Sequence, residues 1–549
     1  MDGREQGFQG DDATRGDRKP EQVPVGPPDG ATAAADATRT GTVAAASGTV
    51  PTAPPRAAGA SRGASGREDG ADHDTRFFGQ PWSLVHIFFV EMWERFSFYG
   101  MQGILLLYMY YSVAQGGLGM PEVIATGIVG AYGGTVYLST ILGAWVADRL
   151  LGSERVLFYS AIVIMGGHIA LSLLPGYWGL SIGLILVAVG SGGLKANATA
   201  VVGTLYAPRD VRRDAGFSLF YLGINLGAFL GPILTGWAQV TWGFHAGFLL
   251  AAIGMAAGLI QYSIGRRGLP AQASVVANPL PRGRYGLWIG IAVGAVALIA
   301  VLVLVQVIRA DNLAQVVIVV TAVAAVAYFV VILRSRAISA DERSRVFGFI
   351  PLFLVSVGFW SLYQQQFTVL TIYSDKQLDR TIFGVTLPPS FVQSINPIFI
   401  IILSGVFAAL WTKLGDRQPS TPVKFGLASI IMGIAFLLFL PWANGGPNST
   451  PLMAIVGILF VFTIAELLLS PVGLSVTTKL APEKFHTQMV ALFFLSVALG
   501  TSIAGWLAGF YNPDDEVPYF TVLGAIAIVL GLALLAAVKP VLKLMRGVR

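Results

Sequence analysis

Residues 82–111 read WSLVHIFFVEMWERFSFYGMQGILLLYMYY. An apolar stretch of this length exceeds the roughly 20 residues a helix needs to cross a bilayer. Yet Glu91, Glu94 and Arg95 sit near its middle. Each ionised side chain at the centre of a spanning helix costs roughly 2.5–3.5 kcal/mol, so three unrelated charges would nearly cancel the apolar driving force. The spacing softens this cost. Positions i, i+3 and i+4 share one helix face, and Glu91 can pair with Arg95. One negative charge is left over, and it needs a partner elsewhere, a water-filled cavity or a proton. The alternatives are a buried pair that only holds helices together and an ion or substrate pathway, which is the default reading of intramembrane ionisable groups.

The rest of the chain fits a membrane setting. It has 549 residues, of which 54% are hydrophobic and only 12% charged, about half the charged fraction of a soluble protein. The absence of cysteine excludes disulfides, cysteine-ligated metal sites and a thiol nucleophile. Residues 1–76 are different material, rich in Gly, Ala, Pro, Ser and Thr, with nine basic and twelve acidic residues intermixed. They contain no continuous apolar core of a signal peptide. They cannot bury enough surface to offset ordering entropy, so they are expected to be disordered and are assigned no chemistry.

From residue 80 onward long apolar runs alternate with short polar loops, giving fourteen expected spans between residues 82 and 538. With the N-terminus inside, the inner loops and the C-terminus hold 22 Lys and Arg residues. The outer loops hold only Arg309, Lys376 and Arg380. This asymmetry places both termini in the cytoplasm. It also accounts for the net charge of +6 without a nucleic-acid partner.

Five clearly intramembrane charges then remain: Glu91, Glu94 and Arg95, Lys195, and Glu466 in the span 451–478. Desolvation favours the protonated form of a carboxylate and a nearby cation favours the charged form. The surplus carboxylate is therefore a candidate proton carrier. Asn225, Asn396, Gln364 to Gln366 and Tyr137 lie at similar depths. A lone membrane Asn is usually interhelical glue, but several beside charges of both signs suit a cavity for a zwitterion. Glycine and proline within the spans, as in VAVGSGGLKANATA and LLLSPVGLS, suit either a bending transporter or close helix packing.

WERFSFYG resembles the first-helix E-x-x-E-R-F motif of the proton-dependent oligopeptide transporters, the peptide branch of the major facilitator superfamily. FSLFYLGINLGAFLGP (217–232), GAWVADRLLGSER (143–155), GSGGLKANAT, QSINPIFI and AELLLSPVGLSVTTKLAP resemble further motifs of that family, in order, over roughly residues 80 to 545. The resemblance implies an all-α polytopic membrane protein with the major facilitator fold. A six-helix bundle is expected at 77–268, two inserted transmembrane helices at 282–336 (about 284–308 and 312–333) and a second six-helix bundle at 343–545. It implies import of di- and tripeptides by proton symport with alternating access. Carried over by position, Arg95 and Lys195 would receive the peptide carboxylate. Glu466, with Asn225 and Asn396, would hold the amino terminus, and Tyr99 and Tyr137 would contact the backbone. Glu91, Glu94 and Arg95 would serve proton coupling. Lys195 and Glu466 would pair across the bundles when the outer gate closes.

Several positions depart from the family pattern. Phe98-Tyr99 stands for a tyrosine pair, and Lys195-Ala196-Asn197 for K-P-N, which should stiffen that helix. Phe493 stands where some relatives have tryptophan, an expected change in the pocket. Gln102 and Gln364 stand where some relatives carry an arginine and a glutamate that form an outer-gate salt bridge. The expectation is a gate held by amide hydrogen bonding or packing, with Lys195 and Glu466 as the only ionic link between bundles. No cofactor, metal or nucleic acid is expected, and the protein is read as a monomer in the plasma membrane. An enzyme is disfavoured, because H-E-x-x-H, G-x-S-x-G and P-loop motifs are absent. His73, His86, His168, His245 and His486 are scattered without metal-ligand spacing, and His168 reads as a packed helix residue. A sensor is disfavoured for want of an output domain. The alternative within transport is a related facilitator for another anionic or drug-like solute, working as an exporter.

Overall fold

In lipid every backbone N–H and C=O must be satisfied within the protein, so apolar runs of this length fold as helices. The computed structural model describes residues 74–207 and 210–548. The tail expected at 1–76 lies outside the described residues except for 74–76.

The helices run in the order α1 (Ser83–Tyr110), α2 (Glu122–Val146), α3 (Ser153–Leu173), α4 (Gly176–Gly203), α5 (Arg213–Trp242), α6 (Phe244–Gly265), α7 (Tyr285–Leu304) and α8 (Leu313–Arg334). They continue with α9 (Ala340–Tyr363), α10 (Val369–Lys376), α11 (Ile395–Leu414), α12 (Thr421–Leu437), α13 (Leu452–Leu480), α14 (His486–Ala508), α15 (Val517–Ala536) and α16 (Val538–Leu544). α9 and α10 together make one broken crossing, so the described residues hold fourteen crossings. An even number brings both described ends to one face, here termed proximal; the opposite face is distal. Thirteen of the crossings are long and apolar enough to span a membrane by length and composition. α1 is the exception because of the charged and polar residues it carries.

α1–α6 pack into one bundle and α9–α15 into a second, which meet along α2 with α14 and α5 with α11. Small residues let the helices approach closely. A Cβ on Gly227 of α5 would lie 2.1 Å from the Met92 carbonyl of α1, and one on Gly231 would lie 2.5 Å from the Phe96 carbonyl. α4 runs unbroken through Lys195-Ala196-Asn197. α8 packs on α2 and α14, whereas α7 has no buried residue.

The crossing expected as one helix at 345–372 is interrupted. A 3₁₀ turn at Gln364–Phe367 and a kinked Thr368 (φ −122°, ψ −92°) separate α9 from α10. The freed backbone is re-satisfied by Gln365, whose Nε2 donates to the Ser361 and Ala504 carbonyls, each at 3.2 Å. Its Oε1 accepts from Thr368 Oγ1 at 3.0 Å. Irregular backbone at membrane depth survives where such partners replace water. Beyond α10 the distal loops carry two short strand pairs, Leu378–Asp379 with Thr450–Pro451 and Thr381–Ile382 with Val385–Thr386.

Candidate functional site

Between the bundles lies a cavity of about 580 Å³, within the range of small-molecule sites. Its floor is formed by side chains from α1, α2, α4, α5, α9, α11 and α13, and its mouth reaches Asp148, Ser153 and Asn278, Lys484 and Gln488 in the proximal connections. Of the eleven residues singled out by sequence, Glu91, Arg95, Tyr99, Gln102, Tyr137, Lys195, Asn225, Gln364, Asn396 and Glu466 line this one cavity; Glu94 does not.

On the α1 side, Arg95 Nη2 lies 2.6 Å from Glu91 Oε1, the pairing expected from their i, i+4 spacing. The surplus of one carboxylate over the cations of this motif remains, but both acids contact the same cation. Arg95 Nε also lies 3.1 Å from Glu94 Oε2, so one guanidinium serves both acids. Glu94 is fully buried behind the cavity wall and accepts a 3.0 Å hydrogen bond from Ser191 Oγ of α4. Ser191, one turn before Lys195, was missed by the sequence reading although its i, i+4 spacing to that lysine was there to be read. Glu91 Oε2 is buried without a hydrogen-bond partner.

Lys195 has no carboxylate within 4.0 Å among the described residues. Its Nζ lies 4.7 Å from the Phe98 ring centre and 4.8 Å from that of Tyr137. The quadrupoles of the two rings stabilise the ammonium and leave its hydrogen-bonding capacity unused by any anion. Phe98 in place of a tyrosine thus supplies a face for the lysine.

Across the cavity, Glu466 Oε2 accepts from Asn396 Nδ2 at 3.3 Å, and the same amide donates to Thr463 Oγ1 at 3.0 Å. Tyr363, also missed, donates to Asn396 Oδ1 at 3.2 Å and fixes the amide's orientation. Asn225 donates to the Tyr221 carbonyl of its own helix at 2.9 Å. The cavity therefore has a cationic pole on the first bundle and an anionic pole on the second. Such an arrangement can hold a solute charged oppositely at its two ends.

The cavity is closed distally by contacts that sequence reading did not find. Tyr110 and Tyr111, at the end of α1, donate to the two oxygens of Asp375 in α10 at 2.5 and 2.7 Å. Glu122 at the start of α2 forms an ion pair with Lys376. Ser390 and Ser394 donate to the carbonyls of Pro232 and Phe229 in α5 at 2.9 and 2.7 Å. These bonds correct two expectations. Lys195 and Glu466 are not paired although the distal side is closed. The ionic link between the bundles is instead made by Glu122 and Lys376. Of the two arrangements expected for Gln102 and Gln364, a bond between the amides is absent among the described residues and Gln102 Oε1 is buried without a partner, while both side chains are packed out of solvent. Two smaller corrections follow. Gln365 braces the α9–α10 break instead of lining the cavity, and Phe493 packs against Gly473 of α13 while its neighbour Phe494 faces the cavity. His168 is fully buried in α3, with neither ring nitrogen hydrogen-bonded.

The chain was then compared with known proteins. The model of the POT family matches residues 154–529. The chain is 41% identical to the di-/tripeptide transporter of Lactococcus lactis subsp. lactis (strain IL1403), over 86% of this chain and 98% of that one. It is 42% identical to the uncharacterized transporter YclF of Bacillus subtilis (strain 168), over 86% and 96%. Among solved structures it superimposes on the peptide transporter POT in complex with sulfate with a TM-score of 0.83, at 43% identity, covering 87% of this chain and 98% of that one. On this evidence the chain belongs to the POT family and is a multi-pass membrane transporter.

Proposed function

We propose that this protein imports di- and tripeptides together with protons across the plasma membrane by alternating access. The observation that carries the reading is the pair of opposite poles, Arg95 with Lys195 and Glu466 with Asn396, on two bundles that face one cavity. Lys195 and Arg95 receive the peptide carboxylate. Glu466, with Asn396 and Asn225, receives the amino terminus, and Tyr99 and Tyr137 contact the backbone between them. Fixed poles with roomy flanks select for zwitterionic ends and tolerate varied side chains. Glu91 and Glu94 share one guanidinium, so protonation of either relieves a crowded site and alters how strongly Arg95 is held; this is the proposed coupling step. The positive-inside asymmetry supports a cytoplasmic proximal face, which makes the structure inward-open. One chain builds the whole cavity, which supports a monomeric unit. The name of the Lactococcus relative supports peptides over another solute.

Competition against labelled di-alanine tests the poles. Di-alanine is expected to compete, while its N-acetylated and its C-amidated forms compete at least about tenfold less, in line with one lost charge-assisted contact. Glu466→Gln should erase the penalty for N-acetylation, and Lys195→Gln the penalty for amidation. Equal competition by all three peptides in the parent would overturn the assignment.

A further inference from the structure

The two seams between the bundles are built differently. α5 faces α11 along one and α2 faces α14 along the other, and among the described residues only the second is packed by an inserted helix, α8. On the distal side α2 and α14 meet backbone to backbone. A Cβ on Gly130 would lie 2.5 Å from Gly505 Cα, and one on Gly134 would lie 2.0 Å from Ser502 Oγ. Toward the proximal side the glycines give way to Trp145 on α2 and Phe494 on α14, and both line the cavity. The two helices thus form a wedge that opens proximally.

α8 lies along that wedge. Near its distal end Val317 would be 3.3 Å from a Cβ on Gly134. About three turns further on, Tyr328 lines the cavity itself. The next residue, Phe329, packs edge-on against Phe353 of α9 at 5.4 Å, which fixes the rotation of α8 and keeps Tyr328 directed inward. α7 joins the same wall from outside, with Trp288 at 4.7 Å from the ring centre of Trp145. A helix present only as a lipid-facing spacer would place no aromatic side chain in the transport cavity.

We infer that the proximal half of α8 is a third wall of the cavity, and that Tyr328, Trp145 and Phe494 form an apolar subsite for a large aromatic or aliphatic side chain of the transported peptide. This rests on the peptide reading above. The poles hold the two ends of the peptide across the bundles, and the wall between α2 and α14 presents uncharged aromatic surface on the proximal side of that axis, with Trp145 about two turns beyond Tyr137 on α2. The charged groups at the mouth, Asp148, Arg149 and Lys484, lie further proximal. Aromatic side chains bury large apolar areas and gain from ring–ring contact, so this wall favours peptides with one bulky apolar side chain over di-alanine.

Two measurements test the inference. The first compares Ala-Phe with di-alanine as competitors of labelled di-alanine uptake in proteoliposomes. Tyr328→Ala is expected to lower the relative potency of Ala-Phe between about twofold and tenfold, the worth of one aromatic pair, and Tyr328→Phe to preserve it. An equal loss for both competitors would overturn the subsite and leave Tyr328 a packing residue. The second uses Tyr328→Cys in this cysteine-free chain. The introduced thiol is expected to react with a membrane-impermeant maleimide applied from the proximal face. An unreactive thiol in folded protein would overturn the wall itself. A reactive thiol in a protein that takes up no peptide would overturn the subsite along with the peptide reading while supporting the wall.

Discussion

Arg95 meets two carboxylates with a single positive charge, so the three groups keep one negative charge in excess when all are ionised, and the balance of the site follows from that. Removing one partner from a buried ionic group costs about 3–5 kcal/mol because the other charges are left uncompensated. Here the guanidinium cannot be spared without stranding both Glu91 and Glu94. The motif's spacing made the Glu91 pair legible, because i, i+4 geometry is local. The bond from Ser191 to Glu94 and the seating of Lys195 on Phe98 and Tyr137 were not legible, because each depends on how α4 packs against α1 and α2. The neutral Gln364 is informative at the same scale. It is buried and lines the cavity. A carboxylate there would either bury an added negative charge or capture Lys195, a half-buried cavity cation with no carboxylate within 4.0 Å among the described residues. Gln364→Glu is therefore expected to reduce peptide uptake at least about tenfold, a cost of 1.4 kcal/mol or more. Uptake at the parental rate would contradict this.

Helix α10 shows where an element escaped the sequence. QQQ in the ninth crossing reads as three pore residues, yet Gln365 is spent on bracing a broken backbone. That break redirects α10 so that Asp375 and Lys376 reach the first bundle, and charges assigned to a loop become the distal gate. The number of crossings was legible because apolar length sets it, whereas the choice of which two helices are inserted came from the family resemblance. The break was not legible, because its cause is side-chain hydrogen bonding across α9, α10 and α14. The gate itself can be tested. Phenol-to-carboxylate bonds contribute about 1.5–3 kcal/mol each, so the double variant Tyr110→Phe, Tyr111→Phe should loosen distal closure. With a single cysteine introduced at Gln393, which lies in the cavity, labelling from the distal face is expected to rise about tenfold or more. An unchanged rate would show that the glycine contact between α2 and α14 and the serine bonds from Ser390 and Ser394 suffice.

At the scale of the whole molecule, two bundles enclose one cavity that is sealed distally by hydrogen bonds and an ion pair and open proximally. Alternating access requires that these distal contacts break while others form below. A carrier that cycles needs closed and open states that differ by only a few kcal/mol, and polar distal contacts such as those of Asp375 and Lys376 can be exchanged for contacts with water. The poles on opposite bundles give the substrate a reason to draw the bundles together. The shared guanidinium gives the proton a reason to alter the site's charge at the same time. The measurement that tests this coupling most directly is labelled di-alanine uptake into proteoliposomes with and without an inward proton gradient, for the parent and for Glu94→Gln. The account predicts that the gradient drives accumulation in the parent, and that Glu94→Gln retains exchange of peptide for peptide but no longer accumulates it. Parent uptake that ignores the gradient, or accumulation that survives Glu94→Gln, would contradict it.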